Sequence, residues 1–122
     1  MQENTVKRKT DLCLLKSFYG ELLTEKERLT ADLFLDEDLS LAEIAEETGI
    51  SRQAVHDTLN RSFQKLEEYE SRLCLCGRFI RMEKGLNELR QLLQHVEPDE
   101  RSREEMKKAR SLLDEMIAYQ EQ

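Results

Sequence analysis

Between residues 40 and 61 the hydrophobic and polar positions follow the pattern of two amphipathic helices joined by a short turn. In each segment the apolar residues recur at every third or fourth position, which places them on one face of a helix. The apolar positions that would face one another are Leu41, Ile44, Ala45, Ala54, Val55 and Leu59. This arrangement predicts a helix-turn-helix.

The residues at the ends of the two segments favour the same motif. Ser40 and Glu43 have the spacing of a capping box, in which each side chain satisfies a backbone amide at a helix start. Gly49 can adopt the positive φ that ends a helix in a tight turn, and Ser51 can cap the helix that follows. Ala45 provides the small side chain needed where two helices cross closely. A plain helical hairpin is the alternative, since a single short motif can arise by chance.

The N-terminal segment is predicted to contain a flexible leader and one helix. Residues 1–9 are polar and carry a basic cluster at residues 7–9. We expect a frayed terminus there, with contact to a phosphate as the alternative. Thr10 or Asp11 would cap a first helix that ends near Gly20.

A second upstream helix is predicted from another capping box. Thr24 and Glu27 have the required spacing, and the helix would run to about Leu35. Its predicted apolar face consists of Leu29, Leu33 and Phe34, with Ala31 close to a neighbouring helix.

After Ser51 the sequence predicts one long helix. No glycine or proline occurs before Gly77, so the helix would run for more than six turns and bend at Gly77. Its apolar residues recur in the steps of a helix that packs on another helix. We predict that five of them form a dimer seam: Leu66, Tyr69, Leu73, Cys76 and Ile80. The alternative is that the C-terminal segment of the same chain covers this seam.

Residues 82–120 are predicted to fold back as a helical hairpin. The two apolar seams are Met82, Leu86, Leu89, Leu93 and Val96, and then Met106, Ala109, Leu113 and Met116. Pro98 lies between them and suits a turn followed by a helix start. The predicted organisation is a flexible basic terminus (1–9), a helix-turn-helix domain (10–75) and a helical extension (76–122) that dimerises.

The composition fits an all-α protein, but its charge opposes a simple DNA-binding role. The net charge is −7, whereas non-specific affinity for a polyanion needs clustered Lys and Arg. The segment 36–50 has acidic residues and no basic one: Asp36, Glu37, Asp38, Glu43, Glu46 and Glu47. Long-range attraction to phosphate is therefore not expected.

The sequence shows no pattern for catalysis or metal binding. Cys74 and Cys76 have one residue between them, unlike a zinc knuckle, and His56 and His95 are isolated. Glycine loops for phosphate and nucleophile motifs are absent from the sequence. We therefore expect no enzyme activity, no metal and no cofactor. The three cysteines suggest no disulfide framework and no apolar run suits membrane insertion, so we expect a reducing cytoplasm.

The predicted helix-turn-helix supplies the candidate site. In this motif the exposed residues at the start of the second helix enter the major groove of DNA. Arg52 suits a guanine edge, and Gln53 or Asn60 suits an adenine edge. Ser51 and Arg61 suit phosphate oxygens. The full candidate set is Ser51, Arg52, Gln53, His56, Asp57, Asn60 and Arg61. The alternative is a solvated helix face without a ligand.

Four segments resemble the YlxM family of small bacterial proteins: FYGELLTEKE, DEDLSLAEIAEE, GISRQAVHD and KLEEYE. The resemblance, from Leu12 to about Leu73, implies an all-α fold similar to the C-terminal region of bacterial sigma factors, a helix-turn-helix of the winged-helix-like superfamily. It also implies a cytoplasmic protein encoded beside the signal recognition particle genes that assists or regulates this targeting pathway. Family members are typically shorter, so we expect the tail from about Glu97 to lie outside the family pattern.

Two kinds of function follow from these patterns. The first is a regulator that binds DNA or the signal recognition particle RNA, either within the targeting pathway or as a transcriptional regulator unconnected with it. The second is a protein–protein adaptor. Its acidic surface over residues 36–47 would meet a basic partner, such as the signal recognition particle protein or its receptor.

Overall fold

The structure, a computed structural model, describes residues 2–121, with side chains from Arg8 to Glu121. The helices are α1 (Gln2–Tyr19), α2 (Glu25–Leu35), α3 (Leu41–Thr48), α4 (Arg52–Leu73), α5 (Leu75–Gln94) and α6 (Arg103–Gln120), and a 3₁₀ turn at Gly20–Leu22 follows α1. No strand occurs in this range, so the predicted all-α class is confirmed. The chain divides into a first unit, Met1–Cys76, and a second unit, Gly77–Gln122.

Helices α3 and α4 form the predicted helix-turn-helix. The amide of Ser40 donates to Glu43 Oε1 at 3.1 Å, and the amide of Glu43 donates to Ser40 Oγ at 3.1 Å. Gly49 ends α3 with φ of 77°, in the left-handed region that favours glycine. Ser51 Oγ then accepts the Ala54 amide at 3.1 Å and caps α4. The capping box, the glycine turn and the second cap are all confirmed.

The core of the motif includes a third helix, α2. Leu33 of α2 is buried in one cluster with Ile44, Val55 and Leu59. The prediction that Leu29 lies on the apolar face is wrong, because this side chain is 55% exposed. The buried face of α2 instead includes polar residues, which a pattern of hydrophobic positions does not mark: its buried residues are Glu27, Thr30, Ala31, Leu33 and Leu35.

Helix α1 begins at Gln2, earlier than predicted. Thr10 and Asp11 therefore lie inside the helix, and the predicted cap at either residue is wrong. Part of the basic cluster, at Lys7, lies outside the described side chains. Lys9 Nζ binds Asp38 Oδ1 at 2.7 Å and lies 4.4 Å from the centre of the Phe34 ring. This lysine thus contacts the acidic turn of its own chain.

The boundary between α4 and α5 lies at Cys74, and the predicted bend at Gly77 is wrong. Cys74 has φ of 57°, and α5 restarts at Leu75. The hydroxyl of Tyr19 accepts the Leu75 amide at 3.0 Å and donates to Glu70 Oε1 at 2.6 Å. The same carboxylate oxygen accepts the Cys76 amide at 3.0 Å. These two side chains therefore satisfy the first amides of α5.

The five residues of the predicted dimer seam do not lie on one exposed surface, because some of them are buried in the chain's own core. Leu66 is fully buried and Cys76 is 4% exposed, in one cluster with Tyr19 and Leu23. Burial and the nearby Glu70 carboxylate raise the pKa of the Cys76 thiol to about 12. Tyr69 packs partly buried against the same cluster, whereas Leu73 and Ile80 are exposed. Because α1 and Leu23, which follows the 3₁₀ turn, cover Leu66 and Cys76, those two residues are not available to a second copy.

The second unit is a hairpin of α5 and α6. Leu86 of α5 is buried against Leu113 and Ile117 of α6, as the predicted hairpin requires. Guanidinium Nη2 of Arg110 donates to the carbonyl of Leu93 at 2.8 Å, which satisfies an acceptor near the end of α5. Five residues predicted for the hairpin seams are exposed and are not covered by the facing helix: Met82, Leu89, Val96, Ala109 and Met116.

The predicted helix start at Pro98 is also wrong. The carboxylate of Asp99 accepts the Ser102 amide at 2.9 Å and the Ser102 hydroxyl at 2.8 Å. This contact closes a turn after Pro98, and α6 begins only at Arg103. Helix α6 therefore begins five residues after Pro98.

Candidate nucleic-acid interface

All seven predicted site residues lie on one exposed surface of the helix-turn-helix. The surface consists of the α4 cap and the following turns of the helix: Ser51, Arg52, Gln53, His56, Asp57, Asn60 and Arg61. We call this surface the recognition face. The structure brings these residues together because consecutive turns of one helix carry them.

The recognition face is exposed because the opposite side of α4 is fixed in the core. Val55 is fully buried, and Leu59 is 3% exposed. Thr58 and Ser62 are buried on the same side, where the Ser62 hydroxyl donates to the Thr58 carbonyl at 2.7 Å. A helix whose one side is held in this way must present the intervening positions to solvent.

Some side chains on the recognition face contact one another. Gln53 Nε2 donates to Asp57 Oδ1 at 3.0 Å, and His56 Nδ1 lies 3.6 Å from the same oxygen. Nη2 of Arg61 lies 3.4 Å from the Thr58 hydroxyl. Within residues 8–121, the side chains of Arg52 and Asn60 are exposed and make no hydrogen bond or ion pair, so their polar groups face solvent.

Several basic residues elsewhere in the first unit are paired with acids. Lys65 Nζ, farther along α4, binds Glu27 Oε1 at 2.9 Å. Arg72 pairs with Glu68 at 3.2 Å. On α1, Lys16 contacts two carboxylates, those of Asp32 and Asp36, which raise its pKa above the ordinary value against the opposing effect of burial. The recognition face therefore has Arg52 and Arg61 for contacts to a polyanion, and little additional positive field from its surroundings.

A second exposed surface is acidic. It includes α3 and the turn before it, where these carboxylates are exposed: Asp36, Glu37, Asp38, Glu43, Glu46 and Glu47. Glu43 is used in the capping box, Asp38 is paired with Lys9, and Asp36 is paired with Lys16. Hydrogen bonding and the charge of Lys9 lower the pKa of Asp38 below its ordinary value. The remaining acids give α3 a negative outer surface.

The sequence analysis did not predict the ion pairs between basic residues and acids that are distant in the sequence. Glu27 and Lys65 are far apart in the sequence, and neither has a local signal for the pair. By contrast, the contact from Gln53 to Asp57 has the four-residue spacing of neighbours on a helix surface, so the sequence contained a signal for it.

The part of the chain that the structure describes contains neither a metal-binding cluster nor a membrane-crossing helix. Within that part of the chain, no group of three or more His, Cys, Asp or Glu could hold a metal ion. No helix there is long and apolar enough to cross a membrane.

The three-helix core, the glycine turn and the exposed start of α4 define a helix-turn-helix protein. Over residues 6–110 the chain matches the family described as "UPF0122: Putative helix-turn-helix protein, YlxM / p13 like", and it belongs to that family. The predicted resemblance is thus confirmed. Because the match extends past Glu97, the expectation that the tail lies outside the family pattern is wrong as far as residue 110.

Individual relatives cover most of the chain. It is similar to a UPF0122 protein of Desulforamulus reducens, with 42% identity over 104 residues, which is 85% of this chain and 88% of that protein. A UPF0122 protein of Bacillus mycoides is 42% identical over 102 residues, 84% of this chain and 90% of the relative. One from Bacillus thuringiensis is 41% identical over the same shares.

Proposed function

We propose that this protein binds nucleic acid through the recognition face and acts as a cytoplasmic regulatory or accessory protein of the signal recognition particle pathway. The observation that carries the binding proposal is the exposure of all seven predicted residues at the start of α4. Arginine, glutamine and asparagine are the side chains that read base edges in a major groove. The link to the pathway is supported by the resemblance to the YlxM family.

The affinity is expected to come from short-range contacts. The net charge of −7 provides no general attraction to phosphate, so a non-specific complex should be weak. A specific complex would depend on the hydrogen bonds of Arg52, Gln53 and Asn60 to base edges. The proposal therefore predicts a high ratio of specific to non-specific binding.

Replacing Arg52 with alanine should weaken nucleic-acid binding by about tenfold, because one bidentate contact to a base edge is lost. Gln53→Ala should act in the same direction. The full-length protein would be titrated with labelled duplex DNA, with the signal recognition particle RNA and with the particle's protein component, each across a salt series. A complex through the recognition face should weaken as salt rises.

Arg72→Ala is the matched control for this experiment. It removes the same charge from the far end of α4, where Arg72 is paired with Glu68. Equal loss of binding in both arginine variants would indicate a general charge effect. Binding that is unchanged in Arg52→Ala and Gln53→Ala would overturn the role of the recognition face.

A protein–protein adaptor is the second candidate, and the acidic surface of α3 favours it. Glu46 and Glu47 are exposed there, with no basic residue between positions 36 and 50. Such a surface would speed encounter with a basic protein such as the signal recognition particle protein or its receptor. Binding to that protein and not to nucleic acid would support the adaptor. This binding should be lost in the double variant Glu46→Lys with Glu47→Lys and retained in Arg52→Ala.

We also propose that the second unit forms a homodimer by packing against a second copy. Its core is small, yet many large apolar side chains remain exposed, among them Ile80, Met82, Leu89, Val96, Leu112, Met116 and Tyr119. A groove lined in part by Met82, Leu112 and Met116 runs along the hairpin. Lys and Arg nearly balance Asp and Glu over residues 77–122, so two copies would repel each other little.

The double variant Leu112→Asp with Met116→Asp should convert the dimer to a monomer, because two unpaired charges per copy would enter the apolar interface. Sedimentation equilibrium of the full chain measures the mass. Leu92→Asp is the control, since Leu92 is equally exposed but does not line the groove. A monomeric wild-type protein, or a dimer that survives the double change, would contradict the proposal.

A further inference from the structure

One side chain on the recognition face is negatively charged, which is unexpected on a surface that would approach the phosphates of DNA. Asp57 lies in the middle of this face, and its side chain is 59% exposed. Its Oδ1 accepts the Gln53 amide group at 3.0 Å, one helical turn away. A carboxylate facing phosphates costs affinity by repulsion, so its position there needs a reason.

The contact restricts the amide of Gln53. A free glutamine side chain on a helix samples many rotamers, and ordering it on binding costs entropy. In the structure one N–H of Gln53 Nε2 is committed to Asp57. The other N–H and the carbonyl oxygen remain available, and these are the donor and acceptor that glutamine uses on the N7 and N6 atoms of adenine.

We propose that Asp57 is a positioning residue that holds Gln53 ready to read an adenine in the major groove of duplex DNA. This inference rests on the proposed nucleic-acid binding and specifies the ligand as duplex DNA with adenine at one position. Asp57 need not touch the DNA. Its negative charge lowers the general affinity for DNA, and its hydrogen bond to Gln53 increases the preference for one base pair.

The proposal separates two effects of Asp57, its charge and its hydrogen bond. Asp57→Asn removes the charge and keeps an oxygen that can accept from Gln53. Asp57→Ala removes both. Glu67→Ala is the matched control, because Glu67 is another exposed acid of α4 and lies outside the recognition face. The two Asp57 variants should raise general affinity for DNA by a similar factor, since each removes the same negative charge from the recognition face. Glu67→Ala should raise it less, because Glu67 is farther from the bound DNA and its charge is screened by salt.

Base discrimination should distinguish the three variants. The full-length proteins would be used to select from a pool of duplex DNA with a randomised centre, and the retained duplexes would be sequenced. Wild type, Asp57→Asn and Glu67→Ala are expected to prefer adenine at one position by about tenfold. In Asp57→Ala, and in Gln53→Ala, that preference should fall at least about threefold.

The outcomes separate this inference from the function on which it rests. If wild type retains no duplex above background, the proposed DNA binding fails and this inference fails with it. If wild type selects a sequence but Asp57→Ala keeps the same adenine preference, only the role of Asp57 is overturned. A change in melting temperature without a change in base preference would show that the Gln53–Asp57 contact merely stabilises the helix.

Discussion

The free energy of unfolding is expected to fall by about 3 kcal/mol when Leu66 is replaced by alanine. Leu66 is fully buried, in a cluster with Tyr19, Leu23 and Cys76. The change removes buried methyl groups and leaves a cavity, and both effects destabilise the folded state. Urea denaturation followed by circular dichroism would measure the difference.

Leu73→Ala provides the control, because Leu73 is on the same helix but is 47% exposed. Its effect should stay within about 0.5 kcal/mol. The pair also tests whether Leu66 belongs to the chain's own core. If Leu66→Ala left stability unchanged but lowered the mass in solution, Leu66 would instead be at an interface between copies, as the sequence pattern predicted.

The helix-turn-helix could be predicted because its determinants are local. The capping box at Ser40 and Glu43, the glycine at position 49 and the cap at Ser51 act within a few residues of one another. Each one satisfies backbone groups or permits a positive φ at a defined place. The exposed recognition face followed from the same local pattern, since Val55 and Leu59 fix which side of α4 is buried.

The boundary between α4 and α5 could not be predicted, because it depends on contacts across the sequence. Tyr19 and Glu70 bind each other and the first amides of α5. Because Tyr19 is 51 residues before Glu70 in the sequence, no local pattern contains both side chains and these amides. Burial raises the pKa of the Tyr19 hydroxyl, and the bond to Glu70 raises it further, so the hydroxyl keeps its proton. The sequence instead predicts a bend at Gly77, because this glycine is the first residue after Ser51 that commonly interrupts a helix.

The dimer seam shows a different ambiguity. Apolar residues at steps of three and four indicate that a helix packs on a partner, but they do not say whether the partner is in the same chain. Leu66 and Cys76 contact α1 or the segment after it, whereas Leu73 and Ile80 stay exposed. The period of the pattern identified a packed helix, and the three-dimensional structure was needed to identify what it packs on.

Replacing Glu27 with alanine is expected to lower the free energy of unfolding by about 2 kcal/mol at neutral pH. Glu27 is 5% exposed. Its Oε1 accepts the Thr24 amide at 2.9 Å and binds Lys65 Nζ at 2.9 Å, so one carboxylate both caps α2 and joins it to α4. Because Lys65 is partly exposed, most of the expected loss comes from the cap and the buried hydrogen bond.

The effect of Glu27 should depend on pH in a defined direction. Burial raises the pKa of its carboxyl, but the Thr24 amide and Lys65 outweigh burial, so the folded pKa lies below the ordinary value of about 4.5. The ionised form is therefore favoured by folding, and its contribution is fully present above that ordinary value. It is lost as the pH falls through the lower, folded pKa. The stability difference between wild type and Glu27→Gln should shrink over that acidic range.

Glu25→Gln is the matched control for the titration. Glu25 lies in the same first turn of α2 but is exposed, so its replacement should change stability little at any pH. Urea denaturation of the three proteins from neutral to acidic pH would give the differences. A gap between wild type and Glu27→Gln that stays constant down to acidic pH would show that the charge of Glu27 contributes nothing. A gap close to zero at every pH would show that the cap alone holds α2, through an oxygen that glutamine supplies equally well.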